Sequence, residues 1–503
     1  HPLFCVGCIL RFQKPQQRRF MPINPRRPVG HRLLNLPVAV ISLYLMFSPV
    51  WSPSIAPRMY DNSRLLELVM LTIMATTVLL PKIAFATVHE WLSLGRTTQW
   101  LIAIFLAGGV LSAAASGAPQ VGALQMGLMM QLVLLFLLTG VAARGTGKDG
   151  EIVFAVAITA GAGLLALKFW VTFVQMYVAG NTFSWVSPFL DFANVRFFGQ
   201  YQAYALLLIT LPIKFLRLTR SWRGIVYLIA ANFWALQWML GSRAVWVGFA
   251  VAVILIAVFM RKGRMRWLAE QSAMALAGGV FYIVFSTFLL STPNATPIPV
   301  VNSILERGEE SSSERITLAK AAIGLIAEHP LAGVGPGQFG LHYSATNAAH
   351  PHNTPLQLLA EYGLIAGMAG VALGIVLVVF AVRQLRDRTS QGPDEVTATL
   401  AAALIMGLVD SIFSGNLVMP HSQVLLCVIA GWLIARADFA ISRPLEPVAR
   451  VQILRTGLVG VAMLAVLTTT ILTIEYLNVI RDMPYPLALR VPSFWQYGRF
   501  TAW

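Results

Sequence analysis

The sequence predicts an all-α polytopic membrane protein, with about 12–13 transmembrane helices and one large, partly helical loop on the outer side. Three observations carry that expectation. Apolar runs of about 18 residues or more recur from one end of the chain to the other. Only 12% of the 503 residues are charged and 57% are hydrophobic, whereas a soluble domain carries about 25% charge. Finally, positive residues collect in every second connection between apolar runs, as they do in the cytoplasmic loops of membrane proteins.

The elements follow in order. Residues 1–32 are basic, with Arg18, Arg19, Arg26, Arg27 and Arg32 just before the first apolar run at 33–50, so this end is expected in the cytoplasm. More spans follow at once and no small-residue cleavage site stands out, which argues against a cleavable signal. Met21 is a plausible native start, and residues 1–20 are then expected not to be native. Transmembrane helices 1–9 occupy 33–291, with later spans near 65–81, 98–115, 121–143, 152–178, 200–216, 225–241, 244–260 and 270–291. The polar interval 292–356 is expected as a periplasmic catalytic loop. Helices 10–13 occupy 357–476, near 357–382, 397–414, 423–441 and 457–476. The tail 477–503, with its Pro, Trp and Arg, is expected in the periplasm or at the membrane–water interface.

Alternating sides from an inside N-terminus tests this arrangement. The inside connections then hold Lys82 and Arg96; Arg144 and Lys148; Arg217, Arg220 and Arg223; Arg261, Lys262, Arg264 and Arg266; Arg383, Arg386 and Arg388; and Arg443, Arg450 and Arg455. The outside connections are poor in positives. The net charge of +16 is therefore a matter of topology, and no basic domain remains to hold nucleic acid. Three cysteines cannot form a disulfide framework. Cys5 and Cys8 form a lone CxxC without zinc partners, and Cys427 sits in an apolar run. No metal site is expected: no DxD or HExxH occurs, and Glu309 and Glu310 make a poor magnesium pair.

The residues that can carry chemistry gather at the outer side. Gly241, Ser242 and Arg243 join spans seven and eight in a tight outward hairpin. Arg243 there either snorkels to lipid headgroups or offers paired N–H donors to a diphosphate. Arg315 stands at the start of an apolar period (Ile316, Ala319, Ile323, Ile326), with Ser311–Ser313 as candidate N-caps. A helix start favours anions; the alternative is a surface arginine paired with Glu314 or Glu310, and Arg307 is a spare. His350 and His352 flank Pro351, Asn353 can orient an imidazole or cap the next helix, and Glu361 follows about two turns later. A neutral imidazole of pKa about 6.5 suits a general base. Arg196, Gln200 and Gln202 lie at the outer end of span six, within reach of sugar hydroxyls or phosphate. Gly333, Gly335 and Gly337 predict a sharp turn, with phosphate cradling as the alternative. His329 and His342 read as structural. Asp410, inside span eleven, needs a partner or a watery cavity, and Lys168 is a second internal charge.

HPLAGVGPGQF from His329, HPHN from His350 and LLAEYGLIAG from Leu358 together resemble the O-antigen ligase superfamily of membrane glycosyltransferases. The resemblance implies an inverting, metal-independent transfer of a glycan from undecaprenyl diphosphate to an acceptor hydroxyl, without a cofactor. It implies His352 at the transfer centre and Arg243 and Arg315 on the diphosphate. His350, Asn353, Glu361, Arg196, Gln200 and Gln202 remain candidates for substrate-binding or supporting roles from their own chemistry and position. The expected setting is the bacterial inner membrane, with the active site facing the periplasm. Lipid A–core oligosaccharide is the expected acceptor. Protein O-oligosaccharyltransferases and O-antigen or exopolysaccharide polymerases are the alternatives within the superfamily. A transporter or flippase of lipid-linked glycans is the reading from a different class.

Overall fold

The computed structural model describes residues 31–56, 59–181, 187–192, 195–290, 301–343, 348–386, 394–437, 447–481 and 494–495. At 301–313 it describes the backbone alone. Cys5, Cys8, Met21, the arginines before His31, Arg388, Arg443 and the tail apart from Phe494 and Trp495 lie outside the described residues, as do the side chains of Arg307, Glu309, Glu310 and Ser311–Ser313.

Among the described residues every regular element is helical, and the chain is the all-α polytopic membrane protein that its hydropathy predicts. In order come α1 (His31–Phe47), α2 (Met59–Thr77), α3 (Pro81–Ser93), α4 (Arg96–Ala115), α5 (Pro119–Thr146) and α6 (Lys148–Val178). They are followed by α7 (Val195–Ala205), α8 (Leu211–Phe215), α9 (Arg220–Leu240), α10 (Arg243–Phe259), α11 (Arg264–Leu290) and α12 (Val301–Glu328). The last five are α13 (Phe339–His342), α14 (Thr354–Leu385), α15 (Glu395–Asp410), α16 (Pro420–Arg436) and α17 (Val448–Arg481).

A helix falls on each apolar run, but the runs are not equivalent. By length and hydropathy, six described helices can cross a membrane unaided: α4, α5, α6, α11, α14 and α17. Local chemistry separates the others from these. The run at 200–216 breaks into α7, a 3-10 turn at Leu206–Leu208, and α8, which has a proline in its first turn. The first nine residues of α2 include Asp61, Asn62, Arg64 and Glu67, all buried. Pro81 starts α3 at 98° to α2, so α3 turns away from the axis of the preceding helix.

Ion pairs mark one end of the bundle. Arg144 meets Glu90 at 3.0 Å, Arg436 meets Glu151 at 2.5 Å, and Lys214 meets Glu395 at 2.6 Å and also Glu270. Apart from Glu270, which lies further into α11, these residues sit near helix ends, on the side to which the charge alternation assigns Arg144, Lys148 and Arg266, and we call this the basic end. The α9–α10 and α15–α16 turns, the start of α7 and the loop from His329 to Asn353 make the opposite end. Between them lies an apolar core with Trp234, Trp267, Phe154, Phe169 and Trp432 fully buried. The indole N–H of Trp267 donates to Thr399 Oγ1 at 2.9 Å, which removes the cost of burying it bare.

Two close crossings aim the helices that matter for the site. A Cβ at Gly248 of α10 would lie 2.5 Å from the Met406 carbonyl oxygen of α15, and one at Gly199 of α7 would lie 2.3 Å from Leu240 of α9. Small residues thus let α7, α9, α10 and α15 converge at one end, as they do at helix interfaces in membranes.

Candidate functional site

The site is built on the start of α14. Asn353 is its N-cap: Oδ1 accepts from Leu356 N at 2.9 Å, while Nδ2 donates to the Ile412 carbonyl at 2.9 Å. Thr354 N donates to the Ser411 carbonyl at 3.0 Å. The histidine-bearing chain is therefore stitched to the end of α15. There Asp410, 1% exposed, accepts from Ser414 Oγ at 2.6 Å and from Asn416 Nδ2 at 3.0 Å.

His352 has a φ of +52° and is, among the described residues, the non-glycine residue in the left-handed region. Such a conformation is costly and persists where the surroundings impose it. Here His352 N lies 3.3 Å from His350 Nδ1 and donates to it, and the two rings meet edge-on with centroids 4.3 Å apart. His350 is fully buried, and its ring fills the space above Gly415. Its Nε2 has no partner among the described residues.

Burial, then the charge of Arg315, then that of Arg196 push the His352 pKa from the ordinary 6.5 down to about 4. Burial also holds His350 well below the usual range, with His352 adding to the effect. Both imidazoles are neutral at pH 7. Arg315 is exposed at its surface, yet protein packs around it densely enough that desolvation lowers its pKa, with Arg196 and Arg243 acting in the same direction. Asp410 and Glu314 oppose that shift. Guanidinium groups from α7 and α12 thus act on one neutral histidine, and a third, from α10, acts on Arg315.

The helix carrying Arg315 corrects one expectation. It begins at Val301, not near Arg315, and runs unbroken through Ser311–Ser313. Serine is a weak helix former but no breaker, so Arg315 projects from the middle of a helix and no helix terminus adds to its charge. Leu318, Ala322 and Leu325 seat α12 against Val334, Phe339 and Ala360.

The glycine run is the sharp turn that its composition predicts, and its amides are already engaged. Gly333, Gly335 and Gly337 have φ of 68°, 110° and 73°, values that other residues rarely adopt. Val334 N donates to the Ala360 carbonyl at 2.9 Å, Gly335 N to that of Glu361 at 3.0 Å, and Leu364 N to that of Pro330 at 2.8 Å. This docking needs a break in α14 at Gly363 (φ 73°, ψ 176°), where a Cβ would lie 2.1 Å from the Leu331 carbonyl. The Glu361 carboxylate, 2% exposed, accepts from Gly337 N at 3.0 Å, Phe339 N at 3.3 Å and Gln357 Nε2 at 3.3 Å. The N–H groups that would cradle a phosphate are held by the protein's own carboxylate.

The other singled-out residues are placed as follows. Gln200 lies one turn after Arg196 on the same face of α7, is 5% exposed, and its Oε1 has no partner among the described residues. Gln202 is fully buried and donates to the Phe233 carbonyl at 2.9 Å, away from the arginines. Lys168 pairs with Asp191. His329 and His342 face each other with ring centroids 6.1 Å apart. No group of three His, Cys, Asp or Glu side chains among the described residues could hold a metal ion.

Two features carry more than the sequence reading gave them. The Ser414–Asn416 turn clamps Asp410, and its glycine admits the His350 ring; a Ser-Gly-Asn cluster right after a membrane aspartate was the available signal. Arg64 is fully buried and binds Glu67 at 2.5 Å, Gln423 at 2.7 Å, Tyr60 at 3.1 Å, and the Phe494 carbonyl at 3.0 Å as well as that of Val418. It thereby ties the tail residue Phe494 to the turn before α16.

Residues 225–371, from α9 into the first half of α14, match the family model for O-antigen ligase. The matched segment holds Arg243, Arg315, His350, His352, Asn353 and Glu361, while Arg196 and Asp410 lie outside it. No curated protein matches the chain.

Proposed function

Because residues 225–371 match the family model for O-antigen ligase, we infer that the chain is a membrane glycosyltransferase of the ligase and polymerase kind and that it carries out a specific reaction. It transfers a glycan from undecaprenyl diphosphate to an acceptor hydroxyl at the histidine end of the bundle. The single observation that carries this reading is a chain of neighbours: Arg315 and Arg196 act on a neutral, conformationally constrained His352, and Arg243 acts on Arg315.

The acceptor O–H gives its proton to a nitrogen of His352 as its oxygen bonds to the anomeric carbon. The bond from that carbon to the diphosphate oxygen breaks, and its electron pair leaves with the diphosphate. Attack from the opposite side inverts the centre. Arg243 and Arg315 stabilise the charge that grows on the leaving group, which is where preorganised donors lower a barrier most. His350 and Asn353 fix the position of His352. No cofactor is required, because the sugar–diphosphate bond is already activated, and arginine takes the part that a divalent cation plays elsewhere.

The basic end faces the cytoplasm by the positive-inside rule, which sets the site on the periplasmic face of the bacterial inner membrane. Lipid A–core oligosaccharide is the acceptor we propose. The test is to incubate the purified chain with lipid-diphosphate-linked glycan and, separately, lipid A–core, a serine-rich acceptor protein, or a second lipid-linked glycan. A new glycosidic bond to lipid A–core that His352→Ala abolishes is the expected result. Bond formation to one of the other acceptors reassigns the chain to the protein transferases or the polymerases. Passage of glycan across liposomes without any bond formed overturns the enzyme reading in favour of a flippase.

A further inference from the structure

At the basic end, far from the histidines, a cleft of about 360 Å³ opens between α8, α9 and α11. Its polar rim is Lys214, Tyr227, Arg266 and Glu270, and Ala269, Ala273 and Met274 form an apolar wall. The charges are balanced: Lys214 is shared by Glu270 and Glu395, and Arg266 gives Nε to Glu395 at 3.3 Å. Two valences are left over. Glu270 is 91% buried at its side chain, by the 9% exposure it retains, yet its Oε1 has no hydrogen-bond partner among the described residues. The Arg266 side chain is 75% exposed, so its terminal nitrogens reach solvent or headgroups. A buried carboxylate oxygen without a donor is costly, and the cleft leads onto a lipid-facing stripe of α11 with Leu276 and Val280 more than three-fifths exposed.

We propose that this cleft binds a phospholipid whose headgroup carries a primary ammonium next to its phosphate, the phosphatidylethanolamine class. The ammonium donates to Glu270 Oε1, the phosphate meets Arg266 and the Tyr227 hydroxyl, and an acyl chain follows Ala269, Ala273 and Leu276 along α11. Charge balance selects a zwitterion here: an anionic headgroup would bring a second negative charge to a rim that is already neutral and would leave Glu270 unsatisfied. A quaternary ammonium has no N–H to give.

The full chain in detergent is titrated with dioleoyl lipids bearing ethanolamine, choline or glycerol headgroups, and thermal unfolding is followed. Ethanolamine lipid should raise the Tm at a mole fraction at least about tenfold below that of the other two, as the loss of a charge-assisted hydrogen bond implies. Glu270→Gln, which keeps shape and removes charge, should erase that preference, and Arg266→Ala should weaken the ethanolamine and choline lipids alike. Equal or stronger stabilisation by the glycerol lipid, or no headgroup dependence at all, overturns the proposal. Should Glu270→Gln fail to fold, Arg266→Ala and the headgroup comparison in the unmodified chain still decide it.

Discussion

Gly415→Ala probes the site through contact alone. Gly415 has φ −93° and ψ 34°, which alanine adopts without backbone strain, so the substitution adds a methyl group and little else. That carbon would lie 2.2 Å from His350 Cε1 and 2.7 Å from both ring nitrogens. Carbon atoms settle at about 3.5–4.0 Å, so the ring must retreat by more than about 1 Å. His350 is fully buried, and its Nδ1 is the acceptor for His352 N at 3.3 Å, so the displacement passes to His352. Overpacking of this kind costs about 1–3 kcal/mol of stability, whereas a misplacement near 1 Å at a reacting centre costs about 100-fold in rate. The expected outcome is a modest fall in Tm with glycan transfer reduced by about two orders of magnitude. Activity is measured at saturating donor, and stability by thermal unfolding of the same preparation. His350→Ala removes the ring that clashes, so the double variant should be no worse than His350→Ala alone. Wild-type transfer in Gly415→Ala, or penalties that simply add in the double variant, would refute the claim that the ring positions His352.

Three further outcomes are expected. Arg243→Lys should lower kcat about tenfold or more, because a point charge cannot copy paired guanidinium donors; unchanged kcat would remove Arg243 from the leaving-group site. The acid limb of kcat/KM should fall near the His352 pKa of about 4, and that of kcat at higher pH, since a bound diphosphate raises the proton affinity of the base. Because the folded-state pKa lies below the unfolded 6.5, stability from this group is complete above pH 6.5 and is lost as the pH falls toward 4; pH-resolved melting and rate profiles check both. Gly337 N and Phe339 N donate to different oxygens of Glu361, so Glu361→Gln puts an amide N–H₂ in front of one of them, and a donor left unsatisfied costs about 1–3 kcal/mol. Faster proteolysis of the 331–348 loop should report it, and an unchanged cleavage rate would show that the carboxylate does not hold that loop.

How much of this was legible in the sequence depended on the kind of interaction. Hydropathy and charge alternation are one-dimensional signals, and they located the helices and gathered Arg144 and Arg266 at one end. Arg196, Arg243, Arg315, His350, His352 and Asn353 stood out because a polar group costs so much near hydrocarbon. The start of α12 did not, since Ser311–Ser313 read as caps while the chain simply continues through them. Nor did the docking of residues 330–335 on the break at Gly363: it is made by backbone groups, which leave no side-chain pattern beyond the glycines themselves. Arg64 was invisible for a related reason, as its partners beyond α2 come from two distant parts of the chain, Val418 with Gln423 and the tail residue Phe494.

The electrostatics of the free site point to a base that the donor completes. Three guanidinium groups stand near one another, offset by Asp410 and Glu314; burial, and then the charges of Arg315 and Arg196, keep a proton off His352. Such an imidazole is in the correct form to accept a proton but is too weak a base to take one efficiently from a sugar hydroxyl, since the best catalytic pKa lies near the working pH. Under the proposed reaction, a diphosphate gripped by Arg243 and Arg315 changes both facts together. Its negative charges offset the part of the His352 shift that comes from the guanidinium groups, and they bring the scissile bond to the same place. Donor binding and activation of the base are then one event, so water meeting the empty site finds a poor base and no bond to break. The rigid parts serve this economy: the Glu361-held loop seats α12 and with it Arg315, while the Asp410 turn seats the start of α14 and with it His352.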